Sequence, residues 1–403
     1  MAKLGMLGYG TVGQGVADIL NRSGEERGLL LGEPLQLKKI LVRSLDKERK
    51  VSVPEGVLTT DPYQVLLDDE IDIIIEVTGD LDDGYVFIKK ALQNGKHVVT
   101  ANKAVVSAYF EELSYMAEEK GLHFLYEASA GGGIPFIKPL KDAIRLNKVE
   151  SIRGILNGTC NFILSKMTNE GLEYSEILKE AQALGYAEAD PSADVEGTDT
   201  MRKLRIIGTL ALGASISEDD IICDGIDRLS AYDIKKLKDM GYVVKLIGEA
   251  KEADGGFTAI VQPTAVPVGS NFAGVGGAMN SVSFSGDSVG ELTFTGAGAG
   301  MLPTANAVLS DVIDCILDTQ SKSSPLRARA LQNRNGSLKS SYYVRFEGGF
   351  GAEALGKLSL KELISPKDPI AVITDEEKLD DILELAASLD PVGYSIVRIE
   401  ELS

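Results

Sequence analysis

Short apolar runs alternate with amphipathic segments along the first third of the chain. Apolar residues recur at helical spacing near 62–68, 84–94 and 107–120, which predicts three helices there. The apolar runs themselves predict strands at 3–7, 36–42, 71–77, 96–100 and 123–126. Strands that alternate with helices are typical of an α/β fold, so the pattern predicts a doubly wound parallel sheet.

A glycine-rich turn follows the first predicted strand at once and leads into a helical pattern. Its glycines fit G-x-G-x-x-G, which lets backbone N–H groups at a helix N-terminus approach a pyrophosphate. We therefore predict a Rossmann-type dinucleotide site, and the alternative is a tight turn without a ligand. The residues predicted to bind the cofactor here are Gly8, Tyr9, Gly10, Thr11, Val12 and Gly13.

The second predicted strand ends at a basic residue, Arg43, and Lys47 and Arg49 follow closely. An arginine at this place can pair with a 2′-phosphate, which favours NADP over NAD. Asp46 could instead bind a ribose hydroxyl, and Arg43 would then be only a solvated surface charge. NADP is the expected cofactor, and NAD is the alternative.

Residues 181–203 concentrate the candidate chemistry. A helical pattern begins near Val195, and Asp199 and Lys203 are four residues apart, so they share one helix face. An acid and an amine held together on a rigid element can position and move a proton. The alternative for the pair is a solvated surface salt bridge. The charged residues of the segment are Glu188, Asp190, Asp194, Glu196, Asp199 and Lys203.

Written as A-x3-G-Y-A-x2-D-P-x2-D-V-x-G-x-D-x3-K, this segment resembles the signature of homoserine dehydrogenases at every defined position. The resemblance implies NAD(P)-dependent interconversion of L-homoserine and L-aspartate 4-semialdehyde, a step toward threonine, methionine and isoleucine. It implies that Lys203 is the general acid/base, that Asp199 orients it, and that Glu188, Asp194 and Asp199 bind the substrate. The alternative is a regulatory protein that binds NADP without catalysis.

Other stretches resemble the same family, notably EVTG at 76–79 and GKHVVTANK at 95–103. In the family the lysine that matches Lys103 lies near the nicotinamide and the substrate, which makes Lys103 a third catalytic candidate. Asp80 departs from the pattern, because members commonly carry a second glycine there. The further cofactor contacts implied by the resemblance are Thr78, Gly79, Thr100, Lys103, Gly185, Glu188 and Gly300.

The stretch YEASAGGGIP at 126–135 resembles the family's monovalent cation site, usually described with sodium. The resemblance implies ligands from Glu127, Ala130, Gly132 and Ile134. Hard cations prefer oxygen ligands, and a glycine-rich loop can turn its carbonyl groups inward. The alternative is a βα connection in which Glu127 caps a helix.

The pattern and the resemblance together divide the chain. A nucleotide domain at 1–135 precedes an α+β substrate-binding and oligomerisation domain at 136–305, and 306–320 forms a helix that returns to the nucleotide domain. A linker at 321–340 leads to a shortened, ferredoxin-like ACT-like domain at 341–403. The strands predicted in this last domain are 341–346, 370–374 and 394–399, with a helix at 376–389.

The composition argues against some classes of binding partner. The 403 residues carry a net charge of −19, which argues against nucleic acid or an anionic membrane as a partner. No apolar run approaches the roughly 18–20 residues of a membrane helix, and no signal peptide is expected. Three cysteines without metal-ligand spacing favour a cytoplasmic protein. The resemblance implies a small-molecule substrate and a homodimer or homotetramer.

Overall fold

The first part of the chain alternates strands and helices. Its strands pair in parallel in the order β3-β2-β1-β4-β5-β6, which confirms the predicted doubly wound sheet. The elements are β1 (Ala2–Leu7), α1 (Thr11–Leu31), β2 (Leu35–Leu41), β3 (Leu58–Thr59), α2 (Tyr63–Leu66), β4 (Ile73–Glu76), α3 (Leu81–Gln93), β5 (His97–Thr100), α4 (Lys103–Glu119) and β6 (Phe124–Leu125). The computed structural model describes residues 2–31, 35–323, 326, 329–350, 352–356 and 358–401.

The middle of the chain contains the helices that carry the candidate acid and lysine, together with antiparallel strands. Its helices are α5 (Glu127–Ala130), α6 (Ile137–Ala143), α7 (Gly158–Glu170), α8 (Tyr174–Ala183), α9 (Ser192–Val195), α10 (Thr198–Leu212), α11 (Ala231–Asp239) and α12 (Met301–Leu317). Its strands are β7 (Val149–Ile155), β8 (Ile222–Cys223), β9 (Tyr242–Ala253), β10 (Gly256–Pro267), β11 (Met279–Gly286) and β12 (Gly290–Ala297). A 3₁₀ turn at Glu218–Asp220 precedes β8.

Helices cover both faces of the parallel sheet. The side chains of α2, α3 and α4 pack on one face, and those of α1 and α12 pack on the other. Contact between α1 and α12 is close, because a Cβ on Gly15 would lie 2.6 Å from the Met301 carbonyl oxygen. The helix expected at 306–320 begins earlier, at Met301, and it packs on the nucleotide-binding part of the chain.

The end of the chain forms an antiparallel sheet. Its elements are β13 (Gln332–Asn333), β14 (Lys339–Glu347), β15 (Leu360–Ser365), β16 (Ile370–Thr374), β17 (Glu377–Lys378), α13 (Leu379–Leu389) and β18 (Gly393–Ile399), with 3₁₀ turns at Asn335–Ser337 and Ala352–Leu355. The strand order β18-β14-β16-β15 is that of a ferredoxin-like domain, as predicted. The turn at Ala352–Leu355 stands where that fold has its first helix, which agrees with the predicted shortening.

The C-terminal sheet is continuous with the sheet of the middle region. Strand β18 pairs in parallel with β10, so among the described residues the order β12-β11-β7-β9-β10-β18-β14-β16-β15 runs without a break. Part of the predicted linker, at 324, 325, 327 and 328, lies outside the described residues. The domain boundaries at 135, 305, 320 and 340 remain predictions. None of the helices within the described ranges is both long and apolar enough to cross a membrane.

Candidate active site

Asp199 and Lys203 lie at the start of α10 and face the same side. Gly197 precedes the helix with a φ of +90°, a conformation that side chains with a Cβ rarely adopt. Asp199 therefore sits in the first helical turn, where exposed N–H groups stabilise a carboxylate. Lys203 Nζ donates to Asp199 Oδ2 at 2.8 Å. Both residues are less than a tenth exposed, so the contact differs from a solvated surface ion pair.

Lys103 reaches the same carboxylate from the parallel-sheet domain. It is the first residue of α4, and its Nζ lies 2.5 Å from Asp199 Oδ1. The preceding residue, Asn102, caps this helix by accepting a hydrogen bond from the Val105 N–H. The Asp199 carboxylate is thus held between two ammonium groups, one on α4 and one on α10.

The two lysines determine the charge state of Asp199. Burial alone would raise the pKa of this carboxyl, but the ammonium groups of Lys203 and Lys103 lower it below its ordinary value. Asp199 is therefore ionised throughout the neutral range. Nearby Asp194 behaves differently, because burial and the charge of Asp199 raise its pKa, whereas a hydrogen bond from Asn157 lowers it.

The turn between β7 and α7 completes this cluster, and sequence reasoning missed its part in it. The Leu156 carbonyl oxygen accepts a hydrogen bond from Lys203 Nζ at 2.7 Å. Asn157 Nδ2 lies 2.7 Å from Asp194 Oδ1 and 2.8 Å from Asp199 Oδ2. An asparagine before a helix signals an N-cap, and nothing in its local pattern indicates contact with two distant acids.

The glycine turn after β1 has the shape that a dinucleotide site needs. Gly8 has a φ of +102°, and a Cβ there would lie 2.7 Å from the Val77 carbonyl oxygen. A Cβ on Gly13 would lie 2.6 Å from the Gly8 carbonyl oxygen, whereas Gly10 faces open space. Two of the glycines therefore allow close backbone packing, and the third keeps room for a ligand.

A cavity of ≈ 430 Å³ lies beside this turn, and its volume suits part of a dinucleotide. Of the residues predicted to bind the cofactor, this cavity is lined by Gly8, Tyr9, Gly10, Arg43 and Thr78. The other predicted cofactor residues do not line it, namely Thr11, Val12, Gly13, Gly79, Thr100, Lys103, Gly185, Glu188 and Gly300. Gly300 instead caps α12 with a φ of +130°.

Basic side chains gather at one side of the cavity. Arg43, Lys47 and Arg49 all line it, as does Ser44. The Arg43 side chain is 86% exposed, and its guanidinium lies 3.6 Å from the carboxylate of Asp80. An exposed pair at this distance contributes little energy, so Arg43 can turn toward a phosphate group.

Comparison with known proteins agrees with this geometry. The family described as "Homoserine dehydrogenase, NAD binding domain" matches residues 8–127, and "Homoserine dehydrogenase" matches residues 135–313. The chain belongs to the homoserine dehydrogenase family. Its NAD-binding part is the parallel sheet, and its second match covers α10 with Asp199 and Lys203. It is accordingly a nicotinamide-dependent oxidoreductase.

Relatives with the same name resemble most of the chain. A homoserine dehydrogenase of Synechocystis is 45% identical over 78% of this chain and 73% of its own length. One of Pseudomonas aeruginosa is 35% identical over 98% of both chains. The crystal structure of a homoserine dehydrogenase from Thiobacillus denitrificans superposes with a TM-score of 0.89 at 34% identity, covering 100% of this chain and 99% of the other. These similarities lend no support to a non-catalytic regulatory protein.

Glu188 and Gly185 lie apart from the lysine–aspartate contacts in this member of the family. Both follow α8 in an exposed segment, and Gly185 has a φ of +78°. In the described part of the chain, the Glu188 side chain makes no hydrogen bond or ion pair. Their substrate and cofactor roles stay predictions. Asp190 Oδ1 accepts a hydrogen bond from the Ser192 N–H at 3.1 Å, at the turn before α9.

A buried glutamate, Glu76, organises the predicted contacts at the ends of β4 and β5. Its Oε1 accepts hydrogen bonds from the Thr78 N–H and hydroxyl at 2.9 and 2.5 Å. Its Oε2 accepts one from the Thr100 hydroxyl at 2.6 Å. Both threonine hydroxyls thus point into the protein, and contact of Thr78 or Thr100 with a cofactor would use other atoms.

Glu127 is engaged in helix capping. Its Oε1 accepts hydrogen bonds from the N–H groups of Phe136 and Ile137, both at 2.6 Å, and its Oε2 accepts one from Lys138 N–H at 2.9 Å. Burial raises the pKa of this carboxyl, and the three N–H donors act in the opposite sense. This geometry agrees with the capping alternative for the side chain.

The other three predicted cation ligands lie in the segment that follows Glu127. Ala130 and Ile134 are buried, and Gly132 has a φ of +60°. Within the described ranges, the carbonyl oxygens of these three residues accept no hydrogen bond. Buried carbonyl groups without a donor are suitable ligands for a hard cation, so the loop fits such an ion through its backbone.

Proposed function

We propose that the protein interconverts L-homoserine and L-aspartate 4-semialdehyde, with Lys203 as the acid/base at the substrate oxygen. The observation that supports this most is the buried Lys203 ammonium group, fixed by Asp199 and the Leu156 carbonyl oxygen. An ammonium group has three N–H donors. Two are used by these acceptors, and the third can be donated to a substrate oxygen.

The reaction divides between cofactor and protein. A bound nicotinamide supplies or accepts the hydride at the substrate's terminal carbon. In the direction of reduction, Lys203 donates a proton to the aldehyde oxygen, which becomes the hydroxyl of homoserine. In the direction of oxidation, Lys203 takes that proton back. Its burial excludes water from the transfer, and its two fixed contacts orient Nζ.

The neighbouring charges have separate duties in this proposal. Asp199 holds Lys203 and Lys103 together, and Lys103 places a second positive charge beside the reacting oxygen. A developing alkoxide is stabilised by such fixed charges. Asp194 and Glu188 bind the substrate's amino end, and the exposed position of Glu188 lets it approach a substrate that is not yet enclosed.

We infer that NADP is the preferred cofactor and that NAD is the alternative. Arg43, Lys47 and Arg49 bring three positive charges to one wall of the dinucleotide cavity. A 2′-phosphate carries negative charge that such a wall attracts, and an arginine can bind it through two parallel hydrogen bonds. A ribose without that phosphate gains little from the same side chains.

A monovalent cation such as sodium is part of the proposal. The carbonyl oxygens of Ala130, Gly132 and Ile134 would hold it, and the buried Glu127 would contribute negative charge nearby. Such an ion would fix the loop that leads from the parallel sheet into α6.

We also propose a homodimer or homotetramer in the cytoplasm. Within the described ranges, strand β12 is an edge of the long sheet, and the exposed residues Glu291, Thr293 and Thr295 project from one face of it. An unpaired edge of this length is a natural site for contact with a second copy. Light scattering on the purified protein measures the assembly.

Reduced-nicotinamide absorbance tests the reaction. The purified protein is mixed with L-aspartate 4-semialdehyde and NADPH or NADH, and consumption is followed for the wild type and Lys203→Ala. We expect Lys203→Ala to lower kcat by two to four orders of magnitude, roughly the contribution of a positioned acid/base. Cofactor binding should be nearly unchanged, because Lys203 does not line the dinucleotide cavity.

Two outcomes would count against this proposal. If Lys203→Ala retains the wild-type rate, Lys203 has no part in the chemistry. If the folded wild type binds NADPH without consuming it, the non-catalytic alternative gains support. Lys179→Ala is the matched control, since Lys179 is an exposed lysine on α8 and its loss should change neither rate nor binding.

A further inference from the structure

In the described structure, Asn157 is the one side chain that forms hydrogen bonds with both Asp194 and Asp199. It is 4% exposed and lies between β7 and α7. Its amide nitrogen has two N–H groups. One is donated to Asp194 Oδ1 at 2.7 Å, and the other to Asp199 Oδ2 at 2.8 Å. The two acids therefore share one neutral donor.

The same short turn also holds the lysine. The carbonyl oxygen of Leu156 accepts hydrogen bonds from Lys203 Nζ at 2.7 Å and from Asn280 Nδ2 at 2.8 Å. Asn157 Oδ1 accepts one from the Cys160 N–H at 2.8 Å, which caps α7. The turn is thereby anchored to α7 and β11, and it presents one acceptor to Lys203 and two donors to the acids.

A hydrogen-bond donor between Asp194 and Asp199 offsets the repulsion between the two carboxylates. Two partly buried carboxylates that lie close together repel each other, and one of them tends to take up a proton. An N–H group pointed at each carboxylate favours its charged form. A hydroxyl or a third carboxylate in the place of Asn157 could not donate to both acids at once.

We propose that Asn157 is a positioning residue, which sets Asp194 and Asp199 relative to Lys203 through one hydrogen bond to each acid. This inference rests on the proposed function, because it assigns Asn157 a duty in that reaction. Asn157 itself does not transfer a proton. It acts through the two acids, so its loss should disturb their geometry and their charge.

The charged groups that act on Asp194 come from two elements. Asp199 and Lys203 belong to α10, and Lys103 belongs to α4. The Cys160 thiol of α7 contacts the Asp194 carbonyl oxygen at 3.1 Å, and burial raises its pKa, so it stays neutral. Asn157 supplies the hydrogen bond that lowers the pKa of Asp194 against burial and Asp199.

The test uses Asn157→Ser and Asn157→Asp. Serine and aspartate are both good N-caps, so each variant can still accept the Cys160 N–H and preserve the start of α7. Neither can donate to two carboxylates. Thermal unfolding of Asn157→Ser should therefore remain close to that of the wild type, so its change in rate can be separated from a change in folding. Asn157→Asp should unfold at a lower temperature, because it adds a third carboxylate beside two others.

We expect kcat/KM for L-aspartate 4-semialdehyde to fall about tenfold to a hundredfold in both variants, the scale of an ångström-sized misplacement. The affinity for NADPH, measured by fluorescence titration, should be unchanged. The acid limb of the pH–rate profile should move to higher pH, because Asp194 loses the hydrogen bond that favours its ionised form. Asn157→Asp should move it further than Asn157→Ser, since it adds a third carboxylate.

Asn161→Ser is the control for loss of a buried amide on the same helix. Asn161 donates to the carbonyl oxygens of Val275 and Met279, and it makes no contact with either acid in the described structure. Its replacement should lower stability without moving the pH profile. Wild-type rates and an unmoved acid limb in both Asn157 variants would overturn the proposal, while an inactive wild type would instead overturn the proposed function.

Discussion

Arg43 is the residue on which cofactor choice depends most directly. Its side chain is almost fully exposed at the wall of the dinucleotide cavity, and Asp80 is a weak partner at 3.6 Å. The guanidinium can therefore leave Asp80 for a phosphate at small cost.

Replacing Arg43 with alanine should raise the KM for NADPH about tenfold and leave the KM for NADH nearly unchanged, because only NADPH carries the 2′-phosphate. Initial rates with each cofactor measure this. Arg22→Ala is the control, since Arg22 is an exposed arginine on α1 that pairs with Asp18. An equal loss with both cofactors would show that Arg43 does not recognise the phosphate.

At the residue scale, a contact can be predicted from the sequence where the spacing of two residues along a helix brings them together. Asp199 and Lys203 are four residues apart, and helix geometry alone brings them together. Lys103 came only from the family resemblance, because nothing in its own segment points to α10. Asn157 was missed, since it lies 42 residues from Asp199 in the chain and reaches it only through the packing of β7 and α10.

In the turn between β1 and α1, two glycines of one motif have different structural roles. Gly8 is confined by its φ of +102° and by the Val77 carbonyl oxygen, whereas Gly10 meets nothing within 4 Å. The motif letters are identical, and only the three-dimensional structure separates packing from space for a ligand.

Alanine at these two positions should therefore change different properties: cofactor binding at Gly10 and stability at Gly8. Gly10→Ala should leave the melting temperature unchanged and weaken NADPH binding, because its new methyl group projects into the cavity. Gly8→Ala should lower the stability by about 2 kcal/mol through backbone strain. Calorimetry and fluorescence titration separate the two. Unchanged NADPH affinity in Gly10→Ala would mean that the cofactor does not approach this turn.

Elements were predicted well where the apolar pattern was long and regular. The strands and helices of the parallel sheet follow the predicted order. The ends of the five predicted strands and of the helices predicted at 62–68, 84–94 and 107–120 differ from the observed ends by a few residues. Strand β3 was missed, because the two residues Leu58 and Thr59 carry no periodic signal. Helix α12 was placed too late, because Pro303 lies in its first turn, where proline is tolerated.

The whole molecule is joined across its domains by buried charges as well as by hydrogen bonds between strands. Glu249 of β9 accepts a hydrogen bond from Arg398 of β18 at 2.8 Å. Arg153 of β7 makes two hydrogen bonds to Glu400, at 2.9 and 2.6 Å. Burial alone would raise the pKa of Glu249, but Arg398 and Arg153 lower it to about 2.

Glu249→Gln should destabilise the whole protein by about 3 kcal/mol at pH 7, because it leaves the buried Arg398 without its carboxylate partner. A carboxyl with a lowered pKa stabilises the fold fully above its unfolded value near 4.3, and this contribution is lost as pH falls toward 2. The difference in the free energy of unfolding between Glu249→Gln and the wild type should thus become smaller below about pH 4.3. Urea unfolding at several pH values measures it.

Glu401→Gln is the matched control, because Glu401 is exposed and pairs only loosely with Lys361 at 3.4 Å. Its effect should stay below about 0.5 kcal/mol. If Glu249→Gln unfolds in two steps, with the C-terminal strands lost first, the two regions are less tightly joined than their shared sheet indicates.

The fusion of the two sheets could not be predicted from the sequence. The strands at 341–346, 370–374 and 394–399 were found, and so was the shortening of the C-terminal domain. The pairing of Thr264 with Arg398 was not, because partners far apart in the chain leave no local pattern. A separate domain was therefore expected where the structure shows a continuous sheet.

The position of α12 has a consequence for how the chain is made. One face of the parallel sheet is covered by side chains of α12, among them Ala305, Val308 and Val312. At about 5–20 residues per second, roughly 15–60 s separate the synthesis of the first strands from that of this helix. Until then the nascent N-terminal half leaves apolar surface open on the ribosome. Chaperones that recognise such surface are thus expected to meet this protein early in translation.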